Sequence, residues 1–464
     1  MIPFSVIANT KRIHFVGIGG IGMCGLAEYY LREGYFVSGS DVLESNITQR
    51  LKKLGAIIKI GHSSDYIDSS IDVVVYSSAV KSDNPELVKA DILNIKTMKR
   101  AEMLGEIVND KFLIAVSGTH GKTTTTAMIG KLLIDAGLDP LIFVGGNVSL
   151  FDGGASRIGS GNYAVVEADE YDRSFLQLKP DIAVITSIDE DHLDIYKDLN
   201  DIKYNFGLFL EGSKPGSKVI YCGDDGNIKS FINEVDREKF SYGFGNDNYL
   251  KITDYHKSLK EIIFTLVNAT AEYKDIKLKV IGNHNILNST ACFASGKLLN
   301  IDVKKIKKSI AGFKTVDRRL QLKYESKVAV YDDYAHHPKE IESSLKGLKE
   351  FYDKRRIINV FQPHLFSRTR DFYNDFASSL GIADMVILLD IYPARELPIE
   401  GVTSELIYRE MKNKDKDVTY CHTKEDALNI LKQEIRSNDV IVFQGAGDIT
   451  LLCDKFIKEI KKIS

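Results

Sequence analysis

The sequence predicts an α/β protein built in three parts, and three observations carry that expectation. Arg12–Val16 is a short apolar strand that turns through Gly17-Ile18-Gly19-Gly20-Ile21-Gly22 into a helix holding Leu26 and Tyr30. Lys111–Val116 is a second such strand, running into Gly118-Thr119-His120-Gly121-Lys122-Thr123. After Gly312-Phe313, buried-type strands recur at Val328–Asp333, Arg356–Phe361, Met385–Asp390 and Val440–Phe443. Strands and helices alternating in this way imply parallel sheets with right-handed crossovers.

The first part adds strands at Tyr35–Asp41 and Asp72–Tyr76, the latter ending at Ser77-Ser78. The second adds Tyr163–Val166 and Asp181–Ile185. Between Asn246 and Val280, alternating stretches such as Glu261–Leu266 read as a small antiparallel sheet, and Gly282–Gly296 as a loop entering a helix. The expected domains are residues 1–107, Rossmann-like; 108–312, a P-loop ATPase-type domain with a mostly parallel sheet plus the small antiparallel one; and 313–464, again Rossmann-like.

Composition narrows the function classes. At 464 residues the chain calls for roughly two to four domains. Hydrophobic residues at 44% and charged ones at 27% exclude a disordered or fibrous chain. A net charge of -3 argues against nucleic acid as a partner, so an anionic ligand must be met by local cations, helix N-termini and metal. Five singly scattered cysteines support neither a disulfide framework nor a zinc site. With no apolar run of ~20 residues and no basic, apolar leader, a membrane role is not expected and the reading is cytoplasmic.

The second glycine turn carries the strongest chemistry. Backbone N–H groups of such a turn point at phosphate oxygens, and the following helix adds its positive end. Gly118, Thr119, His120, Gly121, Lys122, Thr123 and Thr124 are therefore assigned to ATP, with Lys122 on the β- and γ-phosphates and the Thr123 hydroxyl on Mg²⁺. The usual motif opens with a further glycine, where this chain has Val116. Mg²⁺ also needs a carboxylate at a neighbouring strand end, and Glu167 stands there, with Asp169 and Glu170 just beyond. His192, after the next strand, is a further candidate ligand. His120 either faces a substrate or fills the turn.

Gly17-x-Gly19-x-x-Gly22 followed by Asp41 at a strand end meets the dinucleotide fingerprint nearly in full. Any nucleoside diphosphate offers the same two groups, a pyrophosphate for the loop and a ribose hydroxyl for Asp41, so the pattern does not single out a nicotinamide.

Two nucleotide-type loops in one chain are unusual, and together with later motifs they identify a resemblance. The stretches are His14–Met23, Gly118–Thr126, Glu167-Ala168-Asp169-Glu170 and Asp191-His192-Leu193-Asp194, then Gly282–Asn288, Arg318-Arg319, Asp332–Pro338 and Phe361-Gln362-Pro363-His364. In this order they resemble the Mur ligase family from end to end. The resemblance implies an ATP-dependent, ADP-forming enzyme of peptidoglycan precursor synthesis that joins L-alanine to the carboxylate of UDP-N-acetylmuramate. It implies a first domain holding the UDP-sugar on Gly19, Gly20, Ile21, Gly22, Asp41, Ser77 and Ser78, a middle domain holding ATP, and a third that closes over both with the amino acid. Glu167, His192 and Thr123 would hold metal. Asn285 and Asn288 would meet the adenine side, and Arg319 and Asp333 the nucleotide's phosphate and ribose. His336 and Arg368 would take the amino-acid end, with Lys122, Glu167, His192, Arg319 and His336 as the catalytic set. Leu365 replaces a basic residue that some relatives carry after Gln-Pro-His. A monomer or weak homodimer is expected.

Two readings from other classes compete. A nicotinamide oxidoreductase would leave the second loop without a job, and a motor ATPase would hydrolyse ATP without small substrates. Within the family, the rival is a recycling member that adds a whole peptide.

Overall fold

The computed structural model describes residues 11–148, 151, 154–190, 195–257, 261–394 and 396–463. Its three sheets follow the chain in order. The first is five-stranded and parallel: β1 (Arg12–Val16), β2 (Phe36–Asp41), β3 (Ile57–Ile60), β4 (Val73–Tyr76) and β5 (Lys96–Lys99), in the order β3-β2-β1-β4-β5. Chain order reverses at β1, so a crevice opens beyond the carboxyl ends of β1 and β4, where such sheets bind ligands. The glycine turn joins β1 to α1 (Ile21–Arg32) at that crevice. The helix α2 (Asn46–Lys53) starts with a reciprocal cap between Ser45 and Thr48, and α3 (Pro85–Ile92) with Asn84 as cap and proline in its first turn. The helix α4 (Arg100–Val108) follows β5 directly.

The second sheet has ten strands: β6 (Phe112–Ser117), β7 (Leu141–Val148), β8 (Gly154–Arg157), β9 (Tyr163–Glu167), β10 (Ile182–Ile185), β11 (Lys218–Cys222), β12 (Glu238–Gly243), β13 (Leu250–Lys257), β14 (Ile262–Val267) and β15 (Glu272–Leu278). Their order is β15-β14-β13-β12-β11-β10-β6-β9-β7-β8. The six from β12 to β7 are parallel and β8 returns antiparallel to β7. The stretch expected to form a separate small sheet instead extends this one, since β13 pairs in parallel with β12 through Tyr242↔Leu250 and Gly243↔Lys251. Alternation showed those residues to be strands but carries no information about which edge they join. The helix α5 (Lys122–Asp135) follows β6.

The third sheet holds β16 (Gln321–Glu325), β17 (Ala329–Asp333), β18 (Ile357–Phe361), β19 (Met385–Leu389), β20 (Val418–Cys421) and β21 (Val440–Gln444), in the order β16-β17-β21-β18-β19-β20. Only β16 runs antiparallel to its neighbour. Alternate residues feed two cores. Tyr331, Ile357, Val386, Leu388 and Val442 pack on one face, and Val330, Ile358, Ile387, Ile441 and Phe443 on the other. Burial of both faces explains why these strands read as continuous apolar runs.

By contacts the chain forms two compact units. One comprises Met1–Thr253, Thr265–Ile276 and Leu287–Ala311, and the other Asp254–Phe264, Lys277–Ile286 and Gly312–Ser464. All five cysteines are buried and free. Among the described residues, no helix is long and apolar enough to cross a membrane.

Close strand packing beneath the first loop depends on Gly39. A Cβ there would lie 2.6 Å from the Phe15 carbonyl oxygen. Gly39→Ala is expected to cost about 1–3 kcal/mol of overpacking strain. Thermal unfolding followed by circular dichroism checks this, and an unchanged midpoint contradicts it.

Candidate active site

The phosphate loop is shaped by what stands behind it. Gly118 has φ +133°, and a Cβ there would lie 2.3 Å from Thr186 Oγ1. Gly121 has φ +87° and caps α5, and its Cβ would meet Asn288 Oδ1 at 2.7 Å. Both positions therefore demand glycine on conformation and on space. The Thr119 N–H donates to Ser187 O at 2.9 Å and the His120 N–H to Ser187 Oγ at 2.9 Å, pinning the turn to the segment after β10. The His120 ring reaches toward Asp189, Nε2 to Oδ2 3.9 Å.

Parallel pairing of β6 with β9 puts Val116 opposite Glu167, which brings the loop beside an acidic run. Lys122 Nζ donates to Gly118 O at 2.6 Å, to Thr119 O at 3.3 Å and to Glu170 Oε1 at 2.8 Å. Burial works against its charge, but Glu170, Asp169 and Glu167 outweigh that and hold Lys122 above the usual lysine value. Thr123 Oγ1 donates to Glu167 Oε1 at 2.9 Å, and the Gly145 N–H donates to Glu167 Oε2 at 2.6 Å. A hydroxyl and a carboxylate side by side are the hard oxygen donors that a small divalent cation prefers. Among the described residues no three His, Cys, Asp or Glu side chains cluster for a metal. His192 lies outside the described residues.

The first loop is closed from below. Gly17 and Ile18 N–H groups both donate to Ser40 O at 2.9 Å, and the Gly19 N–H donates to Asp41 Oδ2 at 2.8 Å. Asp41, expected on a ribose hydroxyl, thus has an intramolecular task here. Ser78 Oγ donates to Asp172 Oδ2 at 2.7 Å, and Lys99 Nζ to the same oxygen at 3.0 Å. A cavity of about 260 Å³ runs from Gly20, Ile21, Gly22 and Ser77 past Arg100 to Gly145, Glu167 and Asp169. The first glycine loop and the acidic run after β9 share one cleft.

In the second compact unit, Arg318 and Leu320 adopt left-handed φ of 58° and 47° on either side of Arg319. The Arg319 guanidinium lies 5.2 Å from the Tyr334 ring and 3.6 Å from Glu340 Oε1. Asp333 is 3% exposed, accepting from Leu320 N at 3.1 Å and from Gln444 Nε2 at 2.8 Å. Burial raises its pKa against the opposing pull of its hydrogen-bond partners. Asn285 Nδ2 donates to Ile281 O at 2.7 Å, while Asn288 stands against Gly121. His336 meets Tyr334 O at 3.0 Å through Nδ1, and its ring is 5.8 Å from that of His364. Burial first, then Arg368, pull its pKa down to about 4 against the opposing pull of Glu340. Leu365 has φ +71° where it caps the helix Phe366–Leu380, whose early turns carry Arg368.

Comparison with known proteins fits this geometry. Residues 12–112 match the family model described as Mur ligase family, catalytic domain. Residues 116–296 match the Mur ligase middle domain, and 318–447 the Mur ligase, glutamate ligase domain. The chain belongs to the Mur ligase family. This Mur ligase is 41% identical to a UDP-N-acetylmuramate–L-alanine ligase of Sulfurihydrogenibium sp., covering 97% of the chain and 98% of that protein. It is 42% identical to the Clostridium tetani protein of the same name, covering 98% and 100%. A solved UDP-N-acetylmuramate–alanine ligase from Thermotoga maritima superposes with a TM-score of 0.84 at 29% identity, over 98% of this chain and 100% of that one. A murein peptide ligase from Psychrobacter arcticus shares the fold, with a TM-score of 0.71 at 21% identity over 97% and 98%.

Two residues of this Mur ligase escaped sequence reasoning. Glu170 was visible only as part of an acidic run, and its pairing with Lys122 needs the strand register. Arg100, against Gly22 with its Cδ 3.0 Å from where a Cβ would sit, lies in a basic stretch that carries no motif.

A folded His336 near pKa 4, against 6.5 ordinarily, binds fewer protons than the unfolded chain between those values. Its contribution to stability is complete above pH 6.5 and is lost as pH falls toward about 4. A histidine NMR titration should place its midpoint near 4, and His336→Asn should lose less stability across that window. A midpoint between 6 and 7 contradicts the burial argument.

Proposed function

We propose that this chain joins L-alanine to the carboxylate of UDP-N-acetylmuramate at the expense of ATP, releasing UDP-N-acetylmuramoyl-L-alanine, ADP and phosphate. The observation that carries the reading is the single cleft linking the first glycine loop to Glu167 and Asp169, beside the phosphate loop. It would let a diphosphate sugar extend its carboxylate toward ATP. Curated relatives at 41% and 42% identity bear the name of that activity, which favours a single amino acid over a peptide as the second substrate.

In the first stage the muramate carboxylate oxygen attacks the γ-phosphorus, the bond to the β-γ bridging oxygen breaks, and an acyl phosphate and ADP form. The barrier is one of alignment and charge. Lys122, held cationic by its carboxylate neighbours, would transfer its hydrogen bonds from loop carbonyls to the β- and γ-phosphates. Thr123 and Glu167 would hold Mg²⁺, which supplies neutralising charge to the phosphates. Gly22 would offer its N–H group to the sugar diphosphate, with Ser77 and Arg100 along its path. Arg319 is assigned to nucleotide phosphate and Arg368 to the L-alanine carboxylate.

In the second stage the neutral amine attacks the acyl carbon and phosphate leaves. The amine must shed a proton. His336 is neutral at pH 7 and can accept a hydrogen bond, but a pKa near 4 makes it a weak base, so a role in orientation suits it better. A cytoplasmic site follows from the nature of these substrates.

Lys122→Ala should lower ADP release dependent on all three substrates by about 100- to 1,000-fold. A coupled assay with UDP-N-acetylmuramate and either L-alanine, glycine, L-serine or a tripeptide checks both the residue and the substrate. Parent-like turnover in the variant, or preference for the tripeptide, overturns the assignment.

A further inference from the structure

Beneath the first glycine loop lies a buried charge for which the reaction has no direct use. Glu86, in the first turn of α3, is fully buried. Its Oε2 is 2.6 Å from His14 Nε2 on β1. Its Oε1 accepts from Ser40 Oγ on β2 at 2.8 Å and lies 2.6 Å from His62 Nδ1, just beyond β3. His14 Nδ1 continues the chain to Ser38 Oγ at 2.9 Å. One carboxylate therefore ties together β1, β2, the turn after β3 and the start of α3. Desolvation penalises its charge, but His14, His62 and Ser40 outweigh that and keep Glu86 below the usual glutamate value.

A buried ionic hub is a poor way to gain stability, because apolar side chains of similar volume would serve as well or better. What it supplies is a defined arrangement, and Ser40 shows of what. The same residue whose hydroxyl binds Glu86 offers its carbonyl to the N–H groups of Gly17 and Ile18. The next residue, Asp41, takes the Gly19 N–H. The first half of the loop is laid on the end of β2, and the hub anchors that end.

We infer that Glu86 is a positioning residue for the sugar-diphosphate site, acting through Ser40 to hold Gly17–Gly19 so that the following N–H groups meet the diphosphate. The inference rests on the proposed UDP-sugar role of that loop. It concerns ground-state binding of one substrate, so it predicts a split that a general structural role would not produce.

Two variants test it. Ser40→Ala removes the hydroxyl that binds Glu86 and meets His62 while keeping the carbonyl that holds the loop, and Glu86→Gln keeps the shape of the hub while removing its charge. In steady-state ADP release, the KM for UDP-N-acetylmuramate should rise about fivefold to tenfold in each, the worth of one such hydrogen bond. The KM for ATP and kcat should stay close to the parent's. An unchanged KM for the UDP-sugar in folded Ser40→Ala overturns the inference, as does an equal rise in the KM for ATP. Should Glu86→Gln fail to fold by circular dichroism, Ser40→Ala decides alone. Parent enzyme whose ADP release ignores UDP-N-acetylmuramate would instead overturn the substrate reading itself.

Discussion

The site depends on one partly buried cation held by carboxylates. Lys122 stands at the start of α5, where backbone N–H groups already concentrate positive charge, and burial there is costly for an ammonium. Glu170 makes the position tenable, with Asp169 and Glu167 adding to the field. That arrangement requires β9 beside β6 in parallel register, so that the loop after one strand faces the acidic run after the other. The ammonium divides its hydrogen bonds between Glu170 and the carbonyls of Gly118 and Thr119.

The two glycine loops use the same geometry for different ends. Each follows a central strand paired in parallel on both sides and opens a helix, and each has glycines fixed by close approach of another segment. The first is pinned by β2 and the hub under it, the second by Thr186 and Ser187 behind it. What distinguishes them is charge: only the second carries a lysine with an adjacent hydroxyl and carboxylate. Charge and hydroxyl therefore mark where phosphoryl chemistry would occur, and in the proposed reading the first loop would hold a diphosphate that does not react.

Much of this was legible in the sequence, for identifiable reasons. Strands buried on both faces appear as apolar runs, so Arg12–Val16, Met385–Leu389 and Val440–Gln444 were recognisable within a residue or so. Spaced glycines announced both loops, and the position of Glu167 after an apolar strand announced its place beside the second. Features that depend on pairing were not legible. The addition of Leu250–Leu278 to the edge of the central sheet, the Glu170 contact and the Glu86 hub all need partners distant in sequence. The internal bonds of Asp41 and Asp333 were equally hidden, since their carboxylates accept from backbone N–H groups and, for Asp333, from Gln444.

The central claim is that ATP activates the muramate carboxylate as an acyl phosphate. The most direct measurement follows oxygen from UDP-N-acetylmuramate labelled with ¹⁸O in that carboxylate, with unlabelled water, ATP and L-alanine. Attack by the carboxylate on phosphorus and departure of phosphate from carbon should leave one ¹⁸O atom in each phosphate released, read by mass spectrometry. Phosphate carrying no label while amide product accumulates would contradict the account.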